Sequence, residues 1–159
     1  VRQKQVQISK EIKPNYMQKN ALASLQSLRD QGKDKALLIS ATGTGKTYLA
    51  AFDVKAYNPK KMLFVVHRRS IAIKAMETFK TIINNKSMGL FSGNKKELDN
   101  DYIFSTVQTI YKKENRELFS KDEFDYIIID EVHKAGAHSY QELVNLFLSK
   151  IFIRYVSYS

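Results

Sequence analysis

The chain has 159 residues, 43% of them hydrophobic and 26% charged, with a formal net charge of +10 and no cysteine. That length suits one domain with a sizeable core; the charge favours polyanionic partners through phosphate contacts; and the lack of cysteine excludes disulfides and thiolate metal sites. No apolar run approaches the roughly 18 residues of a membrane span and no leader-like start is visible, so a cytoplasmic setting is expected, and the first residue, Val1 rather than Met, is expected of a piece of a longer protein.

In chain order, the spacing of apolar residues predicts a helix over Asn15–Gln31 and a strand over Lys35–Ser40. The stretch Ser40-Ala41-Thr42-Gly43-Thr44-Gly45-Lys46-Thr47 follows that strand and opens a helix predicted over Lys46–Tyr57. Glycines at 43 and 45 let the backbone turn tightly and point N–H groups inward. Lys46 can reach β- and γ-phosphates, Thr47 offers a hydroxyl to Mg²⁺, and the helix aims its positive dipole end at the same place. Thr42, Gly43, Thr44, Gly45, Lys46 and Thr47 are therefore candidate phosphate-binding residues.

A strand at Met62–His67 and a helix at Ser70–Ile83 follow, with Ser70 placed to cap that helix. Next come strands at Met88–Ser92 and Tyr102–Thr106, a helix over Val107–Ser120, a strand at Tyr126–Asp130 and a helix over Ser139–Leu148. Leu63-Phe64-Val65-Val66 and Tyr126-Ile127-Ile128-Ile129 are apolar throughout, so both faces of these strands are expected to be covered. Buried strands alternating with helices predict a mostly parallel α/β sheet with helices on both faces and ligands at the carboxyl ends of the strands.

Asp130-Glu131-Val132-His133 stands at such an end. Asp130 would hold Mg²⁺, and Glu131 would orient and deprotonate an attacking water. His133 and His138 lie five residues apart with no HExxH pattern, so no zinc site is expected.

The phosphate loop and the Asp-Glu-Val-His run, in this order, resemble the first RecA-like motor domain of superfamily 2 helicases and translocases. The likeness is greatest to the DExH-type group that includes type I and type III restriction motors and excision-repair helicases. It covers nearly the whole chain, read as a single ATP-binding domain over residues 1–159. The resemblance implies ATP and Mg²⁺ as ligands and DNA or RNA as partner, DNA favoured. It also implies a second motor domain, beyond these residues, that carries the arginine fingers.

Further roles come from the same resemblance. Pro14-Asn15-Tyr16-Met17-Gln18-Lys19-Asn20-Ala21-Leu22 resembles the element in which a glutamine, here Gln18, reads adenine. Val65-Val66-His67-Arg68-Arg69-Ser70 resembles a motif that touches the nucleic-acid backbone through Arg68 and Arg69. Phe104-Ser105-Thr106-Val107-Gln108-Thr109 resembles another, through Thr106 and Gln108. Phe91-Ser92-Gly93-Asn94-Lys95-Lys96 lies between them as a further backbone contact. His133 would couple the nucleotide site to a Ser/Thr-Ala-Thr motif after the next strand. Ser157-Tyr158-Ser159 stands in that place, with a bulky Tyr158 and with Arg154 inside the preceding strand.

Two other functions fit parts of the pattern. A phosphate-loop NTPase such as a metabolite kinase needs the loop but not the Asp-Glu-Val-His run, Arg68-Arg69 and Gln18 in this order. A non-catalytic nucleotide- or nucleic-acid-binding module needs no second domain.

Overall fold

A computed structural model describes residues 12–41, 45–132, 137–147 and 151–158. The first helix, α1 (Tyr16–Asp30), begins where Asn15 caps it. The Asn15 side chain accepts from the Gln18 N–H at 2.9 Å, and Gln18 Oε1 accepts from the Asn15 N–H at 3.0 Å. This reciprocal box satisfies two N–H groups that a helix start otherwise leaves without partners. Then follow β1 (Lys35–Ala41), α2 (Lys46–Tyr57), β2 (Met62–Val66), α3 (Arg69–Ile82), β3 (Met88–Ser92), β4 (Lys95–Lys96) and β5 (Tyr102–Thr106). The remainder is α4 (Val107–Ile110), α5 (Lys113–Arg116), β6 (Tyr126–Val132), α6 (Ala137–Leu146) and β7 (Ile151–Tyr158).

The described strands form one seven-stranded sheet in the order β1-β7-β6-β2-β5-β3-β4. Every pairing among the described strands is parallel except that of β4 with β3. Parallel neighbours need crossovers, and the helices supply them. Because side chains alternate across a strand, each central strand feeds two cores. Met62, Phe64, Val66, Tyr102, Phe104, Tyr126 and Ile128 pack with α1, α2 and α3 on one face. Leu63, Val65, Ile103, Ile127 and Ile129 pack with Ile110, Phe119, Phe124, Leu143 and Phe147 on the other. On the first face Phe64, Phe79 and Phe104 form an aromatic triangle with centroids 5.1–5.5 Å apart. Among the described residues no helix is long and apolar enough to cross a membrane.

Two expectations are corrected. The helix expected over Val107–Ser120 is two single turns, α4 and α5, separated at Tyr111-Lys112. The six residues 112–117, Lys-Lys-Glu-Asn-Arg-Glu, give this segment no apolar stripe to hold against the core. Asn115 Nδ2 instead donates to the Thr109 carbonyl at 2.8 Å and folds the second turn back on the first. The other correction concerns α3, which starts one residue earlier than expected. Arg68 occupies its cap position with no side-chain cap hydrogen bond, so Ser70 lies inside the first turn and does not cap it.

The strand ending at Tyr158 runs between β1 and β6 and pairs in parallel with both. Arg154 takes the register position between Leu37 and Ile129, and Ser157 lies level with Ser40 on one side and Val132 on the other. Backbone pairing on both sides thus carries the strand through the arginine.

Candidate functional site

The site lies along the carboxyl ends of β1, β6, β2 and β5. Its residues are set there by strand parity and by the start of α2. On β6, Asp130 has the same parity as Tyr126 and Ile128, so its side chain belongs to the face that α2 covers. Lys46 is the first residue of α2. The two meet: Lys46 Nζ donates to Asp130 Oδ1 at 2.6 Å, with side-chain exposures of 16% and 8%. Burial raises the Asp130 carboxyl above its ordinary value, while the hydrogen bond and charge of Lys46 and the charge of His67 pull it back down.

Gly45 caps α2 with φ of +74°, a backbone conformation that glycine adopts without strain. Space is also short there, since a Cβ would lie 2.9 Å from Gln18 Nε2. That Nε2 donates to the Gly45 carbonyl at 3.3 Å. The Gln18 amide therefore spans two elements, with its oxygen on the cap of α1 and its nitrogen on the turn that opens α2. Thr47 follows in the first turn of α2, partly buried. The hydroxyl of Thr47 and the carboxylate of Asp130 are hard oxygen donors. They suit Mg²⁺, which takes one or two protein oxygens together with substrate phosphates and water.

Of the predicted nucleotide residues, Gln18, Gly45, Lys46, Thr47 and Asp130 are therefore gathered at one end of the sheet. The backbone of Glu131 follows Asp130 on β6. Thr42, Gly43, Thr44 and His133 lie outside the described residues.

The predicted nucleic-acid residues lie beside this site. A groove of about 610 Å³ is lined by His67, Arg69, Asn94, Lys96, Thr106 and Gln108 among others. Arg68, though exposed at the cap of α3, does not line it. Thr106 is 5% exposed, and its hydroxyl shares a 2.8 Å hydrogen bond with that of Thr109. Its first role is thus to tie β5 to α4 at the groove floor. Gln108, by contrast, is exposed. The break between α4 and α5 brings Lys112 to the groove wall, which a continuous helix had not suggested.

A buried network supports the site from behind. Arg29 of α1 grips both oxygens of Asp53 on α2 at 2.7 and 2.8 Å, and Tyr126 at the start of β6 donates to the same carboxylate. The Arg29 guanidinium also lies 5.5 Å from the Tyr57 ring centroid. Asp53 is 1% exposed, so this bidentate pair and the hydroxyl satisfy a carboxylate that would otherwise be costly to bury. The helix bearing Gln18, the helix bearing Lys46 and the strand bearing Asp130 are thereby joined. The one hint in the sequence was an aspartate inside the apolar run Leu49-Ala50-Ala51-Phe52-Asp53-Val54.

The fold, with the phosphate-loop lysine paired to the carboxylate at the end of β6, is that of a phosphate-loop nucleotide-binding domain, and sequence similarity places it among the ATP-binding motor domains of the helicase and translocase class. The family model described as "Type III restriction enzyme, res subunit" matches residues 11–154, and the chain belongs to that family. The chain is 28% identical over 143 residues to the "Putative mitochondrial ATP-dependent helicase irc3" of Schizosaccharomyces pombe, spanning 86% of this chain and 23% of that protein. It is 29% identical over 152 residues to the type I restriction enzyme EcoAI endonuclease subunit of Escherichia coli, spanning 86% of this chain and 18% of that subunit. The chain thus covers about a fifth of the length of these relatives. Among solved structures, a nuclease-deletion mutant of the type ISP restriction-modification enzyme LlaGI, in complex with a DNA substrate mimic, shares the fold. The TM-score is 0.68 at 17% identity, over 91% of this chain and 17% of that one.

Proposed function

We propose that this chain is the ATP-binding half of a nucleic-acid-dependent motor that translocates on or unwinds DNA. The observation that carries the reading is the Lys46–Asp130 ion pair at the carboxyl end of the sheet. It sets a phosphate-seeking cation and a metal-seeking carboxylate on one spot. Gln18 contacts the same turn and is assigned to the adenine edge. DNA is favoured over RNA because the EcoAI subunit is a restriction enzyme and the LlaGI structure contains a DNA mimic.

In this reading ATP lies with its phosphates over the start of α2. Backbone N–H groups of the turn and the Lys46 ammonium hold the β- and γ-phosphates. Thr47 and Asp130 would hold Mg²⁺, which neutralises charge on the phosphate oxygens when bound. Glu131 is assigned to the attacking water. Arg69, Gln108 and the neighbouring lysines hold the nucleic-acid backbone without reading bases, Arg68 is assigned to the same backbone from outside the groove, and His133 couples the two ligands.

Transition-state charge on the γ-phosphoryl group also needs a guanidinium. An arginine finger contributes roughly 10³- to 10⁵-fold in rate, and in this reading it comes from a second motor domain. The chain by itself should therefore bind ATP but turn it over very slowly and unwind nothing. Phosphate release measured with and without single- and double-stranded nucleic acid tests this. Robust turnover that disappears in Glu131→Gln would overturn the split-site mechanism.

A further inference from the structure

The phosphate site and the groove are separated by one strand. Within the sheet order, β2 lies between β6, which carries Asp130 and Glu131, and β5, which carries Thr106. The register pairs Val65 with Ile129 on one side and Val66 with Thr106 on the other. The next residue, His67, thus stands at the carboxyl end of the strand through which the two sites are joined.

Two observations converge on His67. It lines the groove together with Arg69 and Gln108. And among the described residues its Nε2 is buried with no hydrogen-bond partner. Buried polar atoms are nearly always paired. One left unpaired between two candidate ligand sites is poised to gain a partner after a small move of the turn that leads into α3. That turn also carries Arg68 and Arg69, so a phosphodiester drawn to Arg69 pulls directly on the backbone next to His67.

We propose that His67 is a positioning residue that couples the two sites: seating a strand in the groove brings Nε2 into a hydrogen bond on the β6 side, and this bond orders the phosphate site around Asp130. The proposal rests on reading the groove as a backbone-binding surface and the start of α2 as the ATP site. It identifies a route across β2, distinct from the one assigned to His133.

Coupling between two ligands is a ratio of affinities and is reciprocal, so it can be read on this chain without hydrolysis. The dissociation constant of a non-hydrolysable Mg-ATP analogue is measured with and without saturating oligothymidylate, in wild type, His67→Ala and His67→Gln. The wild-type ratio should be at least about fivefold, the lower end of ordinary allosteric coupling. His67→Ala should bring the ratio close to one. His67→Gln, whose amide nitrogen reaches about as far as Nε2, should recover most of it. Loss of packing alone would weaken both affinities while leaving their ratio in place, and that result would overturn the proposal. A wild-type ratio of one would also overturn it. Failure of the underlying reading has a different signature: Lys46→Ala binding nucleotide normally, or Arg69→Ala binding the strand normally.

Discussion

Lys46 and Asp130 are 84 residues apart in sequence and 2.6 Å apart in space. Each needs the other, because both are largely withdrawn from water. In the proposed reading an incoming phosphate would compete with Asp130 for the ammonium, and a magnesium ion would compete with Lys46 for the carboxylate. Lys46→Ala should therefore weaken Mg-ATP binding strongly by removing the charge on the phosphates. Calorimetric titration checks this, and equal affinities would remove the assignment.

The same pair predicts a pH dependence. Burial lifts the Asp130 carboxyl above its ordinary value, and Lys46 opposes that lift. A carboxyl whose folded pKa is raised contributes stability at low pH that is lost as pH rises through the folded value. In Lys46→Ala the opposing cation is gone, so the lift grows. This variant should lose about 3 kcal/mol at neutral pH, as for a broken buried pair, and regain much of it on acidification. Thermal melts of both proteins across the acid range would show it, and parallel curves would count against the pair.

Gln18 should carry two separable effects. Its Oε1 completes the cap of α1, so Gln18→Ala should cost about 1 kcal/mol of stability. Its amide nitrogen lies against Gly45 at the proposed nucleotide site, so the same variant should flatten the expected preference for ATP over GTP. Wild type that binds the two nucleotides alike would reduce Gln18 to its capping role.

Salt titration tests the groove. Arg69→Ala should lower affinity for nucleic acid evenly across sequences and reduce the slope of log affinity against log salt by about one. Thr106→Ala should act differently. Its hydroxyl is bonded to Thr109, so the loss should appear first in stability and only then in binding. Strong base-sequence preference, or binding indifferent to salt, would contradict phosphate-based recognition.

Arg29→Ala leaves the Asp53 carboxylate buried with Tyr126 as its one side-chain partner among the described residues. A loss of about 3–5 kcal/mol is expected. Denaturant unfolding measures it, and a loss below about 1 kcal/mol would mean that the network is not what joins α1 to α2.

The sequence made the scaffold legible because the central strands are apolar on both faces while α1 and α3 bury only one stripe, α2 being the helix that is buried through a whole run, Leu49–Val54. The phosphate loop and the Asp130-Glu131 pair stood out for a related reason: each follows an apolar run directly, and parallel strands deliver such ends to one side of the sheet. The interrupted helix after Val107 was less legible. Its residues have ordinary helix propensity, and the break depends on Asn115 reaching the Thr109 carbonyl. The Arg29–Asp53–Tyr126 network was hidden for another reason, since its members come from three elements that only the packed sheet brings together. His67 was in view as part of a motif but had no role there. What distinguishes it is a buried nitrogen with no partner among the described residues, a matter of packing and not of residue type.

The two-residue strand Lys95–Lys96 completes the sheet beside β3, and both of its side chains are exposed. A sheet margin offers unpaired peptide groups to any other extended chain, and short, charged margins resist that recruitment. The lysines at 95 and 96 therefore also act as a guard against self-association. Exchanging them for valine and threonine would leave the two cores intact, yet should turn this margin into a template for intermolecular strand addition, with precipitation rising as protein concentration rises.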